Sequence, residues 1–391
     1  MKVLHTLDSL NRGGAEMMTL DVCRNARANG LDLTFLATGG GDLEADFRNS
    51  GVEFIRLERK RPIDLALVAQ IRQIIKARNI QVVHSHQPVE ALHLYFATRD
   101  SNIKRVMTLH GVSPGAKNEL ALRFVLPRTD GCVVISNDLH NAVAHRRRLD
   151  KKKRFLVISN GVDPKRLELS DRNLRDELGI TSDSFLIGMV ANFSPVARKD
   201  QMTVCQALPR IFKALPRAHF VFVGSRSPAA PQLFDDCVQF CRREGISERT
   251  HFLGKRSDVT NVLRALDVFV LSSEREGSPI SVIEAMMMGL PTVLSDIAAL
   301  REVSNDAACA ELFRTGDRED LATKLISLAG KTEYRARLGA QAKQWATENF
   351  SIGNHIANLK RFYGSVTSIG PNKHDLTTTS SRVAQAGVKT F

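Results

Sequence analysis

Short apolar runs alternate with longer helix-period segments along most of this 391-residue chain, and the alternation occurs twice. Several runs, such as Gly131–Ile135, are almost continuously apolar, as expected of strands covered on both faces of a parallel sheet. Strand–helix alternation predicts a doubly wound α/β sheet. The pattern restarts after the turn-rich segment Asn160–Pro164, which we interpret as a hinge. The chain should therefore fold as two Rossmann-like domains.

The predicted strands of the first half are Lys2–Leu7, Leu31–Ala37, Glu53–Leu57, Gln81–Ser85, Arg105–Leu109, Gly131–Ile135 and Phe155–Ile158. Those of the second half are Phe185–Ala191, His219–Val223, Thr250–Leu253, Val268–Leu271 and Thr292–Leu294. Ligands of open α/β sheets bind outside the carboxyl ends of the strands. Two such sheets facing each other across a cleft would form a natural two-substrate site.

Composition narrows the class of protein. No apolar run approaches the roughly 20 residues that a membrane span needs, and the N-terminus has the pattern of a first strand and not of a secretory signal. The six cysteines are scattered without a CxxC pair, which indicates a reducing compartment. We therefore expect a cytoplasmic enzyme.

The charge is uneven. The chain carries a net charge of +13, and residues 1–165 carry 26 Lys and Arg against 17 Asp and Glu. A basic first half favours an anionic partner, such as a membrane surface or a phosphate-bearing acceptor. The basic stretch His145–Arg154 has two interpretations, a solvated helix end or a docking site on an anionic leaflet. Nucleic acid is not expected, because aromatic residues do not interleave with the basic ones.

The segment from Glu276 to Met286 carries the clearest chemistry. It follows the apolar run Val268–Leu271 and opens a helix, with Ser278 as the predicted N-cap and Pro279 at the first helical position. The free amides of Ile280 and Ser281 would then favour an anion such as a diphosphate. Glu284, more than a turn further on, could accept hydrogen bonds from a ribose diol. Glu276, next to Gly277, would lie near a sugar attached to the second phosphate.

This segment resembles the donor-site signature of the retaining glycosyltransferases of family 4, which have the GT-B fold. The matching positions are Glu276, Gly277, Glu284, Ala285, Met286, Gly289, Pro291 and Val293. The resemblance extends from the first strand to about Tyr363. It implies two Rossmann-like domains facing across a cleft, with a C-terminal helix that crosses back to the first domain.

The corresponding domain prediction has four parts. Residues 1–163 form an acceptor-binding domain and residues 164–345 a nucleotide-sugar-binding domain. Residues 346–364 form the crossover helix. Residues 365–391, poor in large apolar side chains and rich in Thr and Ser, form a mobile polar tail.

Two groups in the first half match the same family. Gly13 and Gly14 follow the first strand and are similar to the family's glycine loop, where the backbone can approach a ligand closely. His110 ends another strand, and the resemblance implies that it contacts the transferred sugar. His84 and His86 are interpreted as acceptor-side residues, with structural histidines as the alternative. The two could also suggest a metal, but no third ligand has suitable spacing and no D-x-D motif occurs, so we predict metal-independent transfer.

The diphosphate contacts of the second half depart from the family pattern. Lys199 is similar to the lysine that binds the diphosphate, whereas Asn192 stands where the family usually has an arginine. Arg198 is a candidate replacement for that charge. Neutralising a leaving diphosphate with preorganised cations is usually the largest part of such catalysis.

Three further positions are weaker candidates. Lys255 and Arg256 follow a predicted strand and are similar in position to base-binding residues of the family. Glu302 occupies the place of a recurring glutamate near the donor.

The predicted function is transfer of a sugar from a nucleoside-diphosphate-sugar co-substrate to an acceptor hydroxyl, with retention and without a bound cofactor. Polysaccharide, lipopolysaccharide or glycolipid synthesis at the inner face of a membrane would fit the basic first half. In this hypothesis His110, Glu276 and Lys199 act on the reacting groups. Two alternatives stay open: a nucleotide-sugar epimerase, and a non-catalytic sugar-binding homologue, which the missing arginine at Asn192 would favour.

Overall fold

The computed structural model describes residues 1–111, 115–147, 155–168, 173–195 and 199–368, and within them the chain forms two parallel sheets. The first sheet has seven strands in the order β3-β2-β1-β4-β5-β6-β7, and the second has six in the order β10-β9-β8-β11-β12-β13. All paired strands in both sheets are parallel. The predicted pair of doubly wound domains is confirmed.

The strands are β1 Lys2–Leu7, β2 Asp32–Ala37, β3 Glu53–Arg56, β4 Val82–Ser85, β5 Lys104–Leu109, β6 Gly131–Val134, β7 Phe155–Val157, β8 Phe185–Val190, β9 Ala218–Val223, β10 Thr250–Phe252, β11 Val268–Leu271, β12 Thr292–Ser295 and β13 Glu311–Phe313. Their central members are buried end to end, as in β6 and β11, because helices cover both faces of each sheet. Edge strand β13 was not predicted, because its run Glu311–Phe313 begins with a charged residue and has no β-branched side chain.

The helices are α1 Gly14–Ala26, α2 Glu44–Arg48, α3 Leu65–Ala77, α4 Pro88–Thr98, α5 Ala116–Val125, α6 Asn137–Arg147, α7 Leu174–Glu177, α8 Gln201–Ala214, α9 Gln232–Arg243, α10 Val259–Ala265, α11 Ile280–Met287, α12 Ala298–Val303, α13 Arg318–Ala329, α14 Thr332–Asn349 and α15 Ile352–Thr367. Local signals start several of them. The carboxylate of Asp64, for example, accepts from the amide of Leu67 and caps α3.

The chain crosses back to the first sheet through α15. Phe362 on this helix lies where a side chain at Gly131 would be, and the Tyr363 hydroxyl bonds to His5 of β1. The predicted crossover helix over 346–364 is displaced. Residues 346–349 belong to α14, and α15 begins only after Ser351, whose hydroxyl accepts from the amide of Asn354. The Ser351 hydroxyl is the N-cap of α15 and fixes the start of this helix two residues after α14 ends.

The hinge is tied to this break. Val162 donates to the carbonyl of Phe350 and accepts from the amide of Ile352. Helix α15 continues to Thr367, so residues 365–367 of the predicted tail belong to this helix. Residues 369–391 of the predicted tail lie outside the described part.

The helices were compared with the length and apolar character of a membrane span. None of those in the described part of the chain combines the length and the apolar character that crossing a bilayer requires. Residues 148–154 of the basic stretch lie outside the described residues.

Candidate active site between the two sheets

A cavity of about 610 Å³ lies between the carboxyl ends of the two sheets. It is lined by both halves of the chain. The predicted site residues on its wall are Gly13, Gly14, His110, Asn192, Lys199, Glu276, Gly277, Ser278, Ile280, Ser281 and Glu284. Of the other predicted site residues, His84 and His86 do not line it, and Arg198 lies outside the described residues.

The start of α11 opens on this cavity without a side-chain cap. The helix begins at Ile280, with Pro279 in the N-cap position and no side chain bonded to the first amides. The predicted N-cap, Ser278, is wrong by one residue. Its hydroxyl accepts from the Asn160 amide and its carbonyl from the Asn160 side chain, which ties the loop to the hinge. The free amides and the helix dipole make this a site suited to an anion.

Lys199 and Glu276 form an ion pair beside that helix start. Lys199 lies two residues before α8. Its backbone forms an isolated antiparallel β-bridge with Ser273, just after β11. Asp200, the next residue, caps α8 and donates its amide to the Ser272 carbonyl. The side chains of Lys199 and Glu276 are only 13% and 8% exposed. The fold therefore holds one cation and one carboxylate, largely shielded from water, where the sequence places the diphosphate and the sugar.

Glu284, the predicted ribose contact, is paired with Arg166. The same guanidinium donates through Nε to Asp21 of α1 at 2.8 Å. Burial alone would lower the pKa of Arg166, but the two carboxylates raise it. Burial raises the pKa of Asp21, while Arg166 opposes that shift. This three-residue bridge links a first-domain helix to the donor-side helix.

The two halves approach each other at two of the predicted glycines, closely enough at Gly277 to exclude a side chain and at Gly14 only to ordinary contact distance. A Cβ on Gly277 would lie 2.6 Å from the Cδ1 atom of Ile135 and 3.5 Å from the carbonyl oxygen of His110. A Cβ on Gly14 would lie 3.6 Å from the side chain of Ile280. At Gly277 a side chain would fit only if the Ile135 side chain shifted.

Asn192 does not provide the missing charge. Its side-chain oxygen accepts from the Ser225 amide at 2.8 Å and joins the loops after β8 and β9. Asn192 is exposed on the cavity wall. An amide here stabilises the loop pair, whereas an arginine would extend a cation into the cavity.

The prediction that His84 and His86 lie on the acceptor side of the cavity is wrong, because neither residue lines it. They are 0% and 4% exposed, and both are hydrogen-bonded within the first sheet. Burial first, and neighbouring histidines second, lower the pKa of each well below its usual value. His110 alone of the three lines the cavity, and burial together with His355 lowers its pKa to about 4.

The fold brings a third histidine close to His84 and His86, although no third metal ligand was expected from the spacing of residues in the sequence. His5, His84 and His86 bring ligand atoms within 4.8 Å of one another. The ring nitrogens of these three residues are already hydrogen-bonded to one another or to neighbouring side chains. The cluster is therefore satisfied as a hydrogen-bonded group.

The three weaker candidates have structural partners. Lys255 pairs with Asp42 across the cavity rim, and Arg256 pairs with Glu177 and Asp258, although both basic residues line the cavity. Glu302 does not line it. Its carboxylate accepts from the backbone amide of Asn137 at 2.9 Å and joins α12 to α6, so its predicted place near the donor is wrong.

Comparison with known proteins assigns the family. Residues 12–166 match the model described as Glycosyltransferase Family 4, and residues 170–345 match Glycosyl transferases group 1. This chain is a family 4 glycosyltransferase.

Relatives of this glycosyltransferase act on different acceptors. It is 26% identical over 315 residues to the N-acetyl-alpha-D-glucosaminyl L-malate synthase of Bacillus anthracis, covering 78% of this chain and 80% of the relative. It is also 26% identical over 315 residues to the UDP-Gal:alpha-D-GlcNAc-diphosphoundecaprenol alpha-1,3-galactosyltransferase of Escherichia coli, covering 77% and 79%. Among solved structures, Anabaena HepE in complex with UDP and glucose has a TM-score of 0.80 and 21% identity, covering 93% and 100%. That likeness confirms the GT-B architecture.

Arg166 is the residue of this glycosyltransferase that sequence reasoning missed. It lies two residues after the hinge proline, in a segment that looks structural. Its partners Asp21 and Glu284 are 145 and 118 positions away. No local pattern reveals such a bridge. The available signal was an arginine next to a segment predicted to join the two domains.

Proposed function

We propose that this glycosyltransferase transfers a sugar from a nucleoside-diphosphate-sugar to a hydroxyl of a sugar or lipid-linked acceptor, with retention and without a metal. One observation carries the proposal. The uncapped start of α11, the cation Lys199 and the carboxylates Glu276 and Glu284 all line one cavity. That set matches the phosphates, the sugar and the ribose of a single donor.

The donor would lie against the second sheet. The diphosphate occupies the helix start at Ile280 and Ser281, where free amides and the dipole favour negative charge. Lys199 neutralises the charge that develops as the glycosidic bond breaks. The carboxylate of Glu284, oriented by Arg166 through one oxygen, accepts from the ribose hydroxyls. With cationic charge supplied by a lysine and a helix start, transfer does not require a metal.

The sugar would lie between the two halves. Glu276, aligned by its contact with Lys199, accepts from sugar hydroxyls, and His110 faces the sugar from the first domain. In this proposal the bond between the anomeric carbon and the diphosphate oxygen breaks, and its electron pair stays on the diphosphate. The acceptor hydroxyl oxygen bonds to the anomeric carbon from the same face, and its proton passes to the departing diphosphate. Glu276 serves as a positioning group and not as a covalent nucleophile, because it is already paired with Lys199. The tight contact of Gly277 with Ile135 supports closure of the halves and exclusion of water.

The proposed location at a membrane is supported by the surface of the first domain. Large apolar side chains are exposed there at Ile63 (56%), Leu65 (73%) and Leu120 (71%). Helices α3, α4 and α5, which lie side by side, carry two of them. Exposed apolar side chains beside basic residues suit docking on an anionic membrane. The Escherichia coli relative acts on a diphosphoundecaprenol-linked sugar by its name. We therefore propose a cytoplasmic enzyme that docks peripherally on the inner face of the membrane.

The first test uses purified protein and a panel of nucleoside diphosphates and nucleotide-sugars in a thermal-shift assay. A donor should raise the melting temperature through preferential binding to the folded state. The stabilising donor is then incubated with acceptors, and NMR of the product reads the anomeric configuration, in buffer with and without a chelator. Retained configuration and a rate unaffected by the chelator would support the proposal. An inverted product, or a rate lost on chelation and restored by a divalent ion, would contradict it.

The alternatives predict different results in the same assay. An epimerase converts the donor without acceptor, whereas a transferase gives at most slow hydrolysis. A non-catalytic homologue binds the donor but forms no product with any acceptor. Asn192 in place of a cation favours the latter, so the mass of the acceptor product is the deciding measurement.

A further inference from the structure

Six side chains form one continuous run of hydrogen bonds that begins at His110 and continues into the first domain. We call this run the histidine chain. In bonded order its members are His110, His86, His5, Tyr363, His84 and Thr108. Five of them belong to strands β1, β4 and β5 or to the residues just after, and Tyr363 comes from α15. The chain thus joins the reaction cavity to the crossover helix.

The cavity end of the histidine chain consists of three imidazoles. His110 Nε2 lies 2.8 Å from His86 Nδ1, and His86 Nε2 lies 3.3 Å from His5 Nδ1. The rings of His86 and His110 are stacked, with centroids 5.1 Å apart. Each ring therefore uses a different nitrogen for each neighbour, so that the proton position of one ring determines that of the next.

The interior end passes through the tyrosine. His5 Nε2 lies 2.8 Å from the Tyr363 hydroxyl, which also bonds to His84 Nδ1. His84 Nε2 lies 2.7 Å from the Thr108 hydroxyl. Tyr363 and His84 are fully buried, and Thr108 is 2% exposed. A single hydroxyl of α15 connects the two parts of the chain.

Only two proton arrangements satisfy these bonds. Burial keeps the rings neutral, since it lowers the pKa of His5 to about 3 and that of His110 to about 4. A neutral imidazole has one donor and one acceptor nitrogen. The buried Tyr363 hydroxyl must also use its one proton, because leaving that donor unpaired would be costly. All donors then point the same way along the chain. Either every bond donates toward His110, or every bond donates toward Thr108.

The two ends decide between these arrangements. Thr108 has no hydrogen-bond partner other than His84 among the residues that the structure describes, and a buried hydroxyl that donates to nothing is costly. Thr108 therefore donates to His84, and each later bond donates toward the cavity. The chain ends on His110 with Nε2 as acceptor and Nδ1 protonated. Nδ1 lacks a partner within the described ranges. Unlike Thr108, however, His110 lines the cavity, so a bound ligand can accept from Nδ1.

We propose that the histidine chain holds His110 as the Nδ1–H tautomer, ready to donate a hydrogen bond to an oxygen of the transferred sugar, and that Tyr363 is the positioning residue that transmits this order. The inference rests on the proposed function for the identity of the acceptor atom only. Aligned hydrogen bonds polarise one another, which strengthens the final donor.

The test is NMR of ring nitrogens in protein labelled with ¹⁵N-histidine, with the His110 signals assigned by His110→Gln. In the wild-type protein without substrate, His110 should be protonated on Nδ1 alone. Tyr363→Phe removes the shared hydroxyl, so His110 should show a mixture of both tautomers. Transfer by this variant should lose roughly tenfold in kcat with less than a twofold change in donor KM. Tyr95→Phe, which alters a tyrosine of α4 with ring contacts only, is the control and should match the wild type.

Each outcome is decisive. A wild-type His110 protonated on Nε2, or a tautomer unchanged in a folded Tyr363→Phe protein, would overturn the inference even if transfer is normal. A shifted tautomer with unchanged kcat would overturn the role of the chain in transfer. A shifted tautomer in a protein that transfers no sugar with any donor would leave the chain established and would contradict the proposed function instead.

Discussion

The carboxyl edges of the two sheets face the same cavity but are built in opposite ways. The second sheet presents backbone features and charges: a free helix start, a glycine turn, and the pair of Lys199 with Glu276. The first sheet presents neutral histidines that are buried behind the cavity wall and bonded to a helix from the far end of the chain. The difference indicates a division of labour in which one edge neutralises a charged group and the other orders hydrogen bonds.

The largest expected effect concerns the histidine edge, by which we mean the carboxyl edge of the first sheet with its histidines. The free energy of unfolding should depend strongly on pH below neutrality because of these residues. His5, His84, His86 and His355 are buried and His110 is half-buried on the cavity wall. Desolvation lowers the pKa of each. The unfolded state binds protons below about pH 6.5 and the folded state does not, so stability present above that pH falls as pH decreases. Each histidine should contribute up to about 1.4 kcal/mol per pH unit between pH 6.5 and 4.

Denaturant unfolding between pH 7.5 and 5 measures this effect. His355→Gln removes one of the five and should flatten the dependence. His219→Gln, which changes a partly buried histidine of the second sheet, should flatten it less. Equal stability at pH 7.5 and pH 5 would mean that the first sheet does not hold its histidines neutral.

Loss of the cation should be the largest effect at the charged edge. Lys199→Ala should reduce kcat by about 10² to 10³, because a preorganised charge that stabilises the leaving group is worth roughly 3–4 kcal/mol. Lys213→Ala, at an exposed position of helix α8, which follows Lys199, is the matched control. Steady-state kinetics of both variants decide, and similar rates for the two would remove the charge argument.

The contact between the two edges should give an intermediate effect. Gly277→Ala places a methyl group against Ile135, and overpacking of this kind costs about 1–3 kcal/mol. We expect kcat/KM to fall roughly tenfold, since about 1.4 kcal/mol corresponds to a factor of ten. The double variant Gly277→Ala with Ile135→Val removes the clashing Cδ1 atom and should recover part of the loss. No recovery would show that closure does not depend on this contact.

The same substitution away from the cavity should have a small effect of opposite sign. A Cβ at Gly364 of α15 would meet nothing within 4 Å. Gly364→Ala should therefore stabilise the protein by about 0.5–1 kcal/mol, the helix-propensity difference between the residues. Thermal unfolding of the variant checks this, and a lower melting temperature would contradict it.

The two edges also differ in how far the sequence predicts them. Glu276, Gly277, Ile280 and Glu284 lie within one short segment, so that spacing along the chain fixes their geometry. Local patterns likewise predict the seven strands of the first sheet, but not β13, whose run Glu311–Phe313 has no β-branched residue.

The histidine edge depends on contacts that no local pattern contains. Tyr363 meets His5 and His84 across separations of 358 and 279 residues. For that reason the sequence predicts His84 and His86 as acceptor-side residues, although both are buried. Arg166 escaped prediction for the same reason, since its partners come from two other helices.

The central claim, that α11 holds a nucleoside diphosphate with Glu284 on its ribose, can be tested by one binding cycle. The affinities of the best-binding nucleoside diphosphate and of its 2′,3′-dideoxy analogue are measured by calorimetry for the wild-type protein and for Glu284→Gln. We expect the wild type to prefer the natural ribose by roughly tenfold or more, since hydrogen bonds to a charged group contribute about 1.5–3 kcal/mol and about 1.4 kcal/mol corresponds to a factor of ten. The variant should nearly lose this preference. An undiminished preference in Glu284→Gln would contradict the account.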